Sequence, residues 1–282
     1  MKLNKTLIAI AAYKEAENLE HLIKQIRLYE KRADILIIND KSDDNTSEVL
    51  KQIDKNIILI ERPKKLGLGT AHILCMIFAI KFNYKFLLTM DADFSHNPSH
   101  IPEILKFSGE NNFVIGSRFC IGGKSDYKGF KKIVSIIANY LAKNLLSIKL
   151  NEITTYYRLY SVDNLKKLPF NELNAQGYSL GVKIIWLLSI LKVNLYETPI
   201  HMNDRNKGIS KIPKFQIFVS AFDLFKIKFK DIFFKEKIIS NVNRTYNATL
   251  ICTNCKNSYF SLLKKNIFRC LICLNNEKLS NE

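Results

Sequence analysis

Lys85-Phe86-Leu87-Leu88-Thr89-Met90-Asp91-Ala92-Asp93-Phe94-Ser95-His96-Asn97-Pro98 is the stretch that decides the fold. Phe86 to Met90 is an apolar run of strand length, and it delivers two carboxylates, Asp91 and Asp93, one residue apart at its end. Two carboxylates at the mouth of a buried strand form a clamp of hard oxygen donors. Mg²⁺ and Mn²⁺ prefer such ligands and usually share them with phosphates, so the pair suits a divalent cation holding a diphosphate. Taken alone, Asp-x-Asp also reads as a polar turn after a strand.

Outward from this strand the same grammar repeats. Leu7–Ala12, Asp34–Asn39 and Ile57–Ile60 read as buried strands. Between them, Ala16 to Leu28 places Leu19, Leu22, Ile23 and Ile26 on one helical face. Asp40 to Thr46 is a turn that caps a helix running through Val49, Leu50 and Ile53, and Leu66-Gly67-Leu68-Gly69-Thr70 opens another that reaches Ile80. Strands alternating with helices predict an α/β fold with a parallel sheet covered on both faces. Ligands then bind beyond the carboxyl ends of the strands, where Glu15, Asp40, Asp91 and Asp93 all fall. Further on, Asn112–Ile115 is a strand ending in Gly116-Ser117-Arg118, with a flexible Gly122-Gly123 loop after it. Lys131 to Leu146 reads as a helix, and Thr154–Tyr160 and Leu195–Pro199 as strands, with a helix from about Leu180 to Leu191 between them.

The chain has 282 residues, room for one large α/β domain and an appendage. Its formal charge of +17 calls for an anionic partner: a phosphorylated substrate, an acidic membrane surface or nucleic acid. The lysines are spread along the chain without a basic tail, which disfavours nucleic acid. The apolar start Thr6–Ala12 is too short to span a bilayer and lacks a small-residue cleavage site before the fold begins. No uncharged apolar run reaches the ~20 residues of a spanning helix. The expectation is a cytoplasmic protein, peripheral on the cytoplasmic face of a membrane.

Ordered motifs from Thr6 to Lys211 extend the argument. They are Ile10-Ala11-Ala12-Tyr13-Lys14-Glu15-Ala16-Glu17-Asn18, Asn39-Asp40-Lys41-Ser42-Asp43-Asp44-Asn45-Thr46, Gly67-Leu68-Gly69-Thr70-Ala71 and Met90-Asp91-Ala92-Asp93-Phe94-Ser95-His96. Gly116-Ser117-Arg118 with Gly122-Gly123 follows, then Glu197-x-Pro199-Ile200 and Asp204-Arg205-x-x-Gly208-x-Ser210-Lys211. The set resembles the inverting nucleotide-sugar glycosyltransferases of family 2, with the GT-A fold, and within them the dolichyl-phosphate and polyprenyl-phosphate mannosyltransferases. The departures from that pattern are local. Ala11 and Lys14 stand where the family has Pro and Asn, and Asn39 where it has Asp. Glu152-Ile153-Thr154-Thr155-Tyr156-Tyr157-Arg158 lacks a usual glycine, and Lys183 replaces an acidic residue.

The resemblance implies roles. Ala11, Tyr13, Glu15, Ile38 and Asp40 line the donor's nucleoside, and Asp91 and Asp93 hold Mg²⁺ or Mn²⁺, with Ala92 at the ribose or diphosphate. Arg118, Arg205 and Lys211 complete the donor site, the last two on a loop over the donor, so that Asp91, Asp93, Arg118 and Arg205 carry catalysis. Arg118, Lys131, Ser135 and Arg158 are the candidates for an acceptor phosphate. A lipid phosphate has its second pKa at ~6 and needs no base to become a nucleophile. His96 reads as a supporting or capping residue and Ser95 as a weak extra ligand. The implied reaction moves a sugar, mannose first, from GDP-mannose or a UDP-sugar to a polyprenyl phosphate. Transfer to a saccharide or other hydroxyl is the alternative and requires a carboxylate base near the acceptor. A nucleic-acid-binding protein is a further reading, and an inactive scaffold another.

Two additions follow the transferase portion, which is expected over residues 1–212. In residues 213–243, Phe215, Phe218, Phe222, Phe225, Phe229, Phe233 and Phe234 recur at helical spacing among lysines. That stripe either touches a membrane or packs on the domain. In residues 244–282, Cys252-x-x-Cys255 and Cys270-x-x-Cys273 have the spacing of a zinc ribbon, with four thiolates around a structural Zn²⁺ and an open choice of protein partner.

Overall fold

The computed structural model describes residues 5–53, 57–170, 173, 178–203, 224–229, 260–264, 267–270 and 276–278. Its centre is a seven-stranded sheet built from β1 (Thr6–Ala12), β2 (Asp34–Asn39), β3 (Ile57–Glu61), β4 (Phe86–Asp91), β5 (Asn112–Ser117), β7 (Arg158–Ser161) and β8 (Asn194–Pro199), in the order β3-β2-β1-β4-β7-β5-β8. The helices are α1 (Ala16–Tyr29), α2 (Thr46–Ile53), α3 (Leu68–Lys81), α4 (Ile101–Lys106), α5 (Gly129–Leu146), α6 (Val162–Lys166) and α7 (Tyr178–Ile190). β6 (Lys124–Ser125) and β9 (His201–Met202) form a small parallel pair beside the main sheet.

Successive side chains of a strand face opposite sides, and the two cores follow that alternation. On one side Ile8, Ile10 and Ala12 of β1 pack with Ile35, Ile37, Leu88 and Met90 under Leu19, Leu22, Ile23 and Ile26 of α1. On the other, Leu7, Ala9, Leu36, Ile38 and Leu87 meet α3 and α7. Helix α3 is buried continuously from Ala71 to Ala79, as an all-round apolar helix must be.

The order reverses at β1, which has β2 on one side and β4 on the other. Ala11 stands opposite Ile38 of β2 and Asp91 of β4, so three expected site residues share one row at the carboxyl edge. A crevice at such a reversal is where open α/β sheets bind ligands.

The structure corrects several expectations. The sheet is mixed, because β7 runs antiparallel to both β4 and β5. The strand expected from Thr154 begins only at Arg158. The backbone amides of Thr154 and Thr155 instead donate to the Glu152 carboxylate, which removes them from any ladder. Helices α4 and α6 were not foreseen; each is at most six residues long, too short to display a period. The Gly122-Gly123 segment leads directly into β6. Leu224 and Ile227 are buried in the core whereas Phe225 and Phe229 are exposed, so within residues 224–229 one face packs and the aromatic face is outward. β10 (Phe260–Lys264), β11 (Ile267–Cys270) and β12 (Asn276–Lys278) form an antiparallel three-stranded sheet. Cys270 ends β11, while Cys252, Cys255 and Cys273 lie outside the described residues. Among the described residues no helix is long and apolar enough to cross a membrane.

Candidate active site

The loops after β1 and β2 are stitched together. The Lys14 amide donates to Ser42 Oγ at 2.9 Å, the Glu15 amide to Thr46 Oγ1 and the Ala16 amide to Asp44. Lys14 takes a left-handed φ of 57° to make this turn, and its ammonium pairs with Asp43. Tyr13 sits at the rim with the Lys65 ammonium 3.9 Å from its ring centre. Glu15 accepts from the Asn18 side chain at 2.7 Å.

Asp40 is almost fully buried, and both its oxygens are engaged by the protein. Oδ1 accepts from Arg62 Nε at 2.9 Å and from the Leu66 amide at 2.8 Å, and Oδ2 accepts from the Gly67 amide at 2.7 Å. Arg62, itself buried, also reaches Thr70 and the Gly67 carbonyl. The visible work of Asp40 is therefore to fold the glycine loop that opens α3. Gly67 has φ +90°, a conformation that glycine adopts at little cost.

The carboxylate pair stands at the end of β4. Asp91 is partly exposed and Asp93 buried. Ser95 donates to Asp93 Oδ1 through both its amide and its hydroxyl, the latter at 2.6 Å, around a left-handed Phe94. His96 is fully buried, stacks on Tyr157, and its Nδ1 accepts the Asp91 amide at 2.9 Å. That bond makes Nδ1 the acceptor, so the proton of the neutral ring resides on Nε2. The expected supporting role of His96 is thus visible as a brace behind Asp91.

The donor set fits a hard divalent cation: two carboxylates with a hydroxyl beside them, all oxygen. Among the described residues no group of three or more His, Cys, Asp or Glu side chains is assembled into a ready cage. Magnesium commonly takes one or two carboxylates and completes its shell with substrate phosphates and water, which suits this incomplete set.

At the end of β5, Arg118 is buried against Glu152 in a two-point pair of 2.7 and 3.0 Å, and also donates to Thr154. Burial pushes the Glu152 carboxyl up, but the charge and hydrogen bonds of Arg118, with those of Thr154, outweigh it and hold the group below the ordinary carboxylate range. Tyr127 lies between two cations, with the Lys131 ammonium 3.5 Å and the Arg118 guanidinium 5.5 Å from its ring centre. Ser135 follows Lys131 by one turn of α5, and Asn139, a turn further, donates to Thr154 and accepts the Ile153 amide. Arg118 and Lys131 are brought together on Tyr127, and Ser135 lies one turn along α5 from Lys131. Arg158 is not among them: it is fully buried, and its guanidinium donates to the carbonyls of Thr155, Ile153 and Gly181. With its donors spent on backbone, Arg158 ties β7 to α7 and leaves the acceptor set.

The model for glycosyl transferase family 2 matches residues 7–169. The chain belongs to that family. It is 29% identical over 212 residues to the undecaprenyl-phosphate mannosyltransferase of Micrococcus luteus, covering 74% of this chain and 87% of that one. It is 28% identical over 214 residues to the polyprenol monophosphomannose synthase of Mycolicibacterium smegmatis, covering 74% and 81%. Among solved structures it is similar to the glucosyl-3-phosphoglycerate synthase of Mycobacterium tuberculosis with Mn²⁺, UDP and phosphoglyceric acid. That likeness has a TM-score of 0.57 at 14% identity, over 95% of this chain and 90% of that one. The same synthase with Mg²⁺ and UDP gives 0.56 at 15% identity, over 87% and 82%. Those structural likenesses establish the GT-A fold.

Within this glycosyltransferase, Arg205 and Lys211 lie outside the described residues. Arg62, Tyr127 and Asn139 are organising residues that sequence reasoning missed. Tyr127 and Lys131 had a usable signal in their spacing of four at a helix start. Arg62 had none, being 22 residues from the Asp40 that it clasps.

Proposed function

We propose that this glycosyltransferase moves a sugar, mannose first, from a nucleotide-sugar, GDP-mannose or a UDP-sugar, to a polyprenyl phosphate with inversion at the anomeric carbon. The observation that carries the reading is the state of the carboxylates near the acceptor end. A hydroxyl acceptor needs a base there. Glu152 is buried, committed to Arg118 and held anionic below the usual range, which makes it a weak base. Asp126 is paired with His201 at 2.7 Å. What the site presents around Tyr127 is the exposed Lys131 ammonium, with the Glu152-paired Arg118 behind the ring. A phosphate monoester, with its second pKa at ~6, is already ionised and needs cations rather than a base. The names of the two curated relatives support the same choice.

In this reading Lys131 and Arg118 hold the acceptor phosphate in line with the anomeric carbon, and Ser135 adds a hydroxyl. A phosphate oxygen forms the new bond to carbon as the bond to the nucleoside diphosphate breaks. Asp91 and Asp93 hold a divalent cation, braced by His96 and Ser95. When bound, that cation stabilises charge on the departing diphosphate. Arg205 and Lys211 add charge from the donor loop. The stitched loops after β1 and β2 hold Tyr13 and Glu15 at the nucleoside, while Asp40 shapes the glycine loop beside it. The four cysteines Cys252, Cys255, Cys270 and Cys273 hold a structural Zn²⁺.

The test is transfer of mannose from GDP-mannose to a short-chain polyprenyl phosphate with Mn²⁺ or Mg²⁺, read as lipid-linked mannose. Asp91→Asn and Asp93→Asn are expected to abolish turnover in a folded protein. Lys131→Ala is expected to weaken acceptor use about ten- to a hundredfold, the worth of one charge-assisted contact. An enzyme that ignores phosphorylated polyprenols and glycosylates free hydroxyls would establish the alternative.

A further inference from the structure

A histidine and a carboxylate meet between the two halves of the site. β9 runs beside β6 with His201 opposite Lys124. The Asp126 amide donates to the Met202 carbonyl at 3.0 Å, and the Asp126 carboxylate meets His201 Nε2 at 2.7 Å. The next residue is Tyr127, whose ring carries the Lys131 ammonium. β9 also touches the segment that follows the carboxylate pair of β4. The His201 amide donates to His100 Nε2 at 3.1 Å, and Met202 bridges to His96. In the sequence Asp126 is the only carboxylate between Lys124 and Lys149. Asp126 and His201 are both exposed.

A carboxylate only accepts hydrogen bonds, so the contact keeps a proton on His201 Nε2 in the neutral ring and in the charged one. The proton that comes and goes is the one on Nδ1. The charge of the pair therefore changes without loss of its bond. The charged and titratable groups around His201 are Asp126, Lys124 and His100, with His96 behind Met202. His100 accepts through Nε2, and burial, then the charge of His201, push its pKa below the ordinary 6.5. An anionic Asp126 one residue from Tyr127 opposes an anionic acceptor, because like charges ~10 Å apart at a wet surface repel by a factor of a few in affinity. We propose that His201 acts through Asp126 as a positioning residue for the acceptor: its imidazolium cancels the one negative charge beside the phosphate seat, and its neutral ring leaves that charge to repel the phosphate. This rests on the phosphate-acceptor reading and deepens it, because acceptor affinity then depends on a group outside the donor and metal residues.

The experiment measures the acceptor KM of the full chain for a water-soluble short-chain isoprenyl phosphate, with GDP-mannose and Mn²⁺, from about pH 6 to about pH 8.5, across the range in which histidines change charge. His201→Gln keeps an N–H donor toward Asp126 and removes the charge. At the acid end its acceptor KM is expected about two- to fivefold above wild type, with kcat and the donor KM unchanged, and the gap is expected to close toward the alkaline end. Comparing the two proteins at each pH cancels the ionisation of the acceptor phosphate, which is common to both. Asp126→Asn is expected to lower the acceptor KM at the alkaline end and to make His201→Gln silent in the double variant, since no charge remains to be cancelled. His201→Lys is expected to hold the low KM at the alkaline end, and high salt to shrink every gap. Both positions are exposed, and Asp126→Asn carries the test should His201→Gln not fold. A His201→Gln protein with the wild-type acceptor KM at the acid end overturns the proposal. So does a loss that persists in the Asp126→Asn background, or one that falls equally on kcat and the donor KM at every pH. A wild type that ignores the soluble phosphate removes the acceptor reading and this proposal with it. A wild type that uses the phosphate, with variants separated from it by the same factor at every pH, removes the proposal alone.

Discussion

His72 is a neutral imidazole sealed in the core, stacked 3.9 Å from Tyr156 with the rings 6° apart. Neither ring nitrogen has a hydrogen-bond partner. Burial, then the charge of Arg158 and the neighbouring His96, push its pKa down to about 3 from an ordinary 6.5. The unfolded chain takes up a proton there below pH 6.5 that the folded chain refuses. The stabilising contribution is therefore complete above that pH and is lost as pH falls toward 3. His72→Phe keeps a flat ring in the stack and removes the titration. Urea unfolding at about pH 7.5 and about pH 5.5 is expected to show the variant losing less stability on acidification, by up to ~1.4 kcal/mol per unit below the ordinary pKa. Equal acid sensitivity in the two proteins would show that another group sets it.

Pairs of elements are held by buried charges. Arg118 leaves β5 to meet Glu152 in the segment before β7, and Arg62 follows β3 to meet Asp40 after β2. A buried pair adds little over apolar packing, yet breaking one is costly, about 3–5 kcal/mol, because a charge is stranded. Glu152→Gln is therefore expected to destabilise the protein at neutral pH by an amount in that range or below it. The sign of the pH dependence follows from a folded pKa held below 4.5. The contribution of Glu152 is present above pH 4.5 and lost as pH falls through the folded value. The gap between wild type and Glu152→Gln should narrow in acid, as chemical unfolding at a series of pH values would record. A gap that stays constant or widens in acid would mean that the carboxylate charge is not what the pair contributes.

The whole molecule separates its candidate site groups along one edge of the sheet. The carboxylates of β4 lie near the reversal at β1, and the cations of β5 and α5 lie beyond β7. Every group used in the proposed reaction precedes residue 213, so the zinc proposed at the C-terminal cysteines would serve stability or partner contact. The purified chain is expected to carry about one zinc per molecule, by the four-thiolate rule. Serine in place of Cys252 and Cys255 should release it while leaving mannosyl transfer in place. Elemental analysis with a transfer assay checks both. A zinc-free protein with disulfides at these cysteines would refute the site, and loss of transfer in a folded variant would bring the module into substrate handling.

Much of this was legible from local pattern. The alternation of apolar strands with amphipathic helices determined the α/β class, and β2 falls on Asp34–Asn39 as expected. The run Phe86–Met90 marks the strand, and the structure ends β4 at Asp91 as that run implies. Local pattern carries no information on strand direction, so the antiparallel insertion of β7 was decided only by packing. The same holds for the arginines. Arg118 and Arg158 look alike in sequence, but one meets Glu152 beside Tyr127 and the other spends its donors on carbonyls of its own turn and of Gly181. Which arginine lies beside Tyr127 and which is spent on backbone depends on contacts across 34 and 23 residues, and those exist only once the sheet has closed.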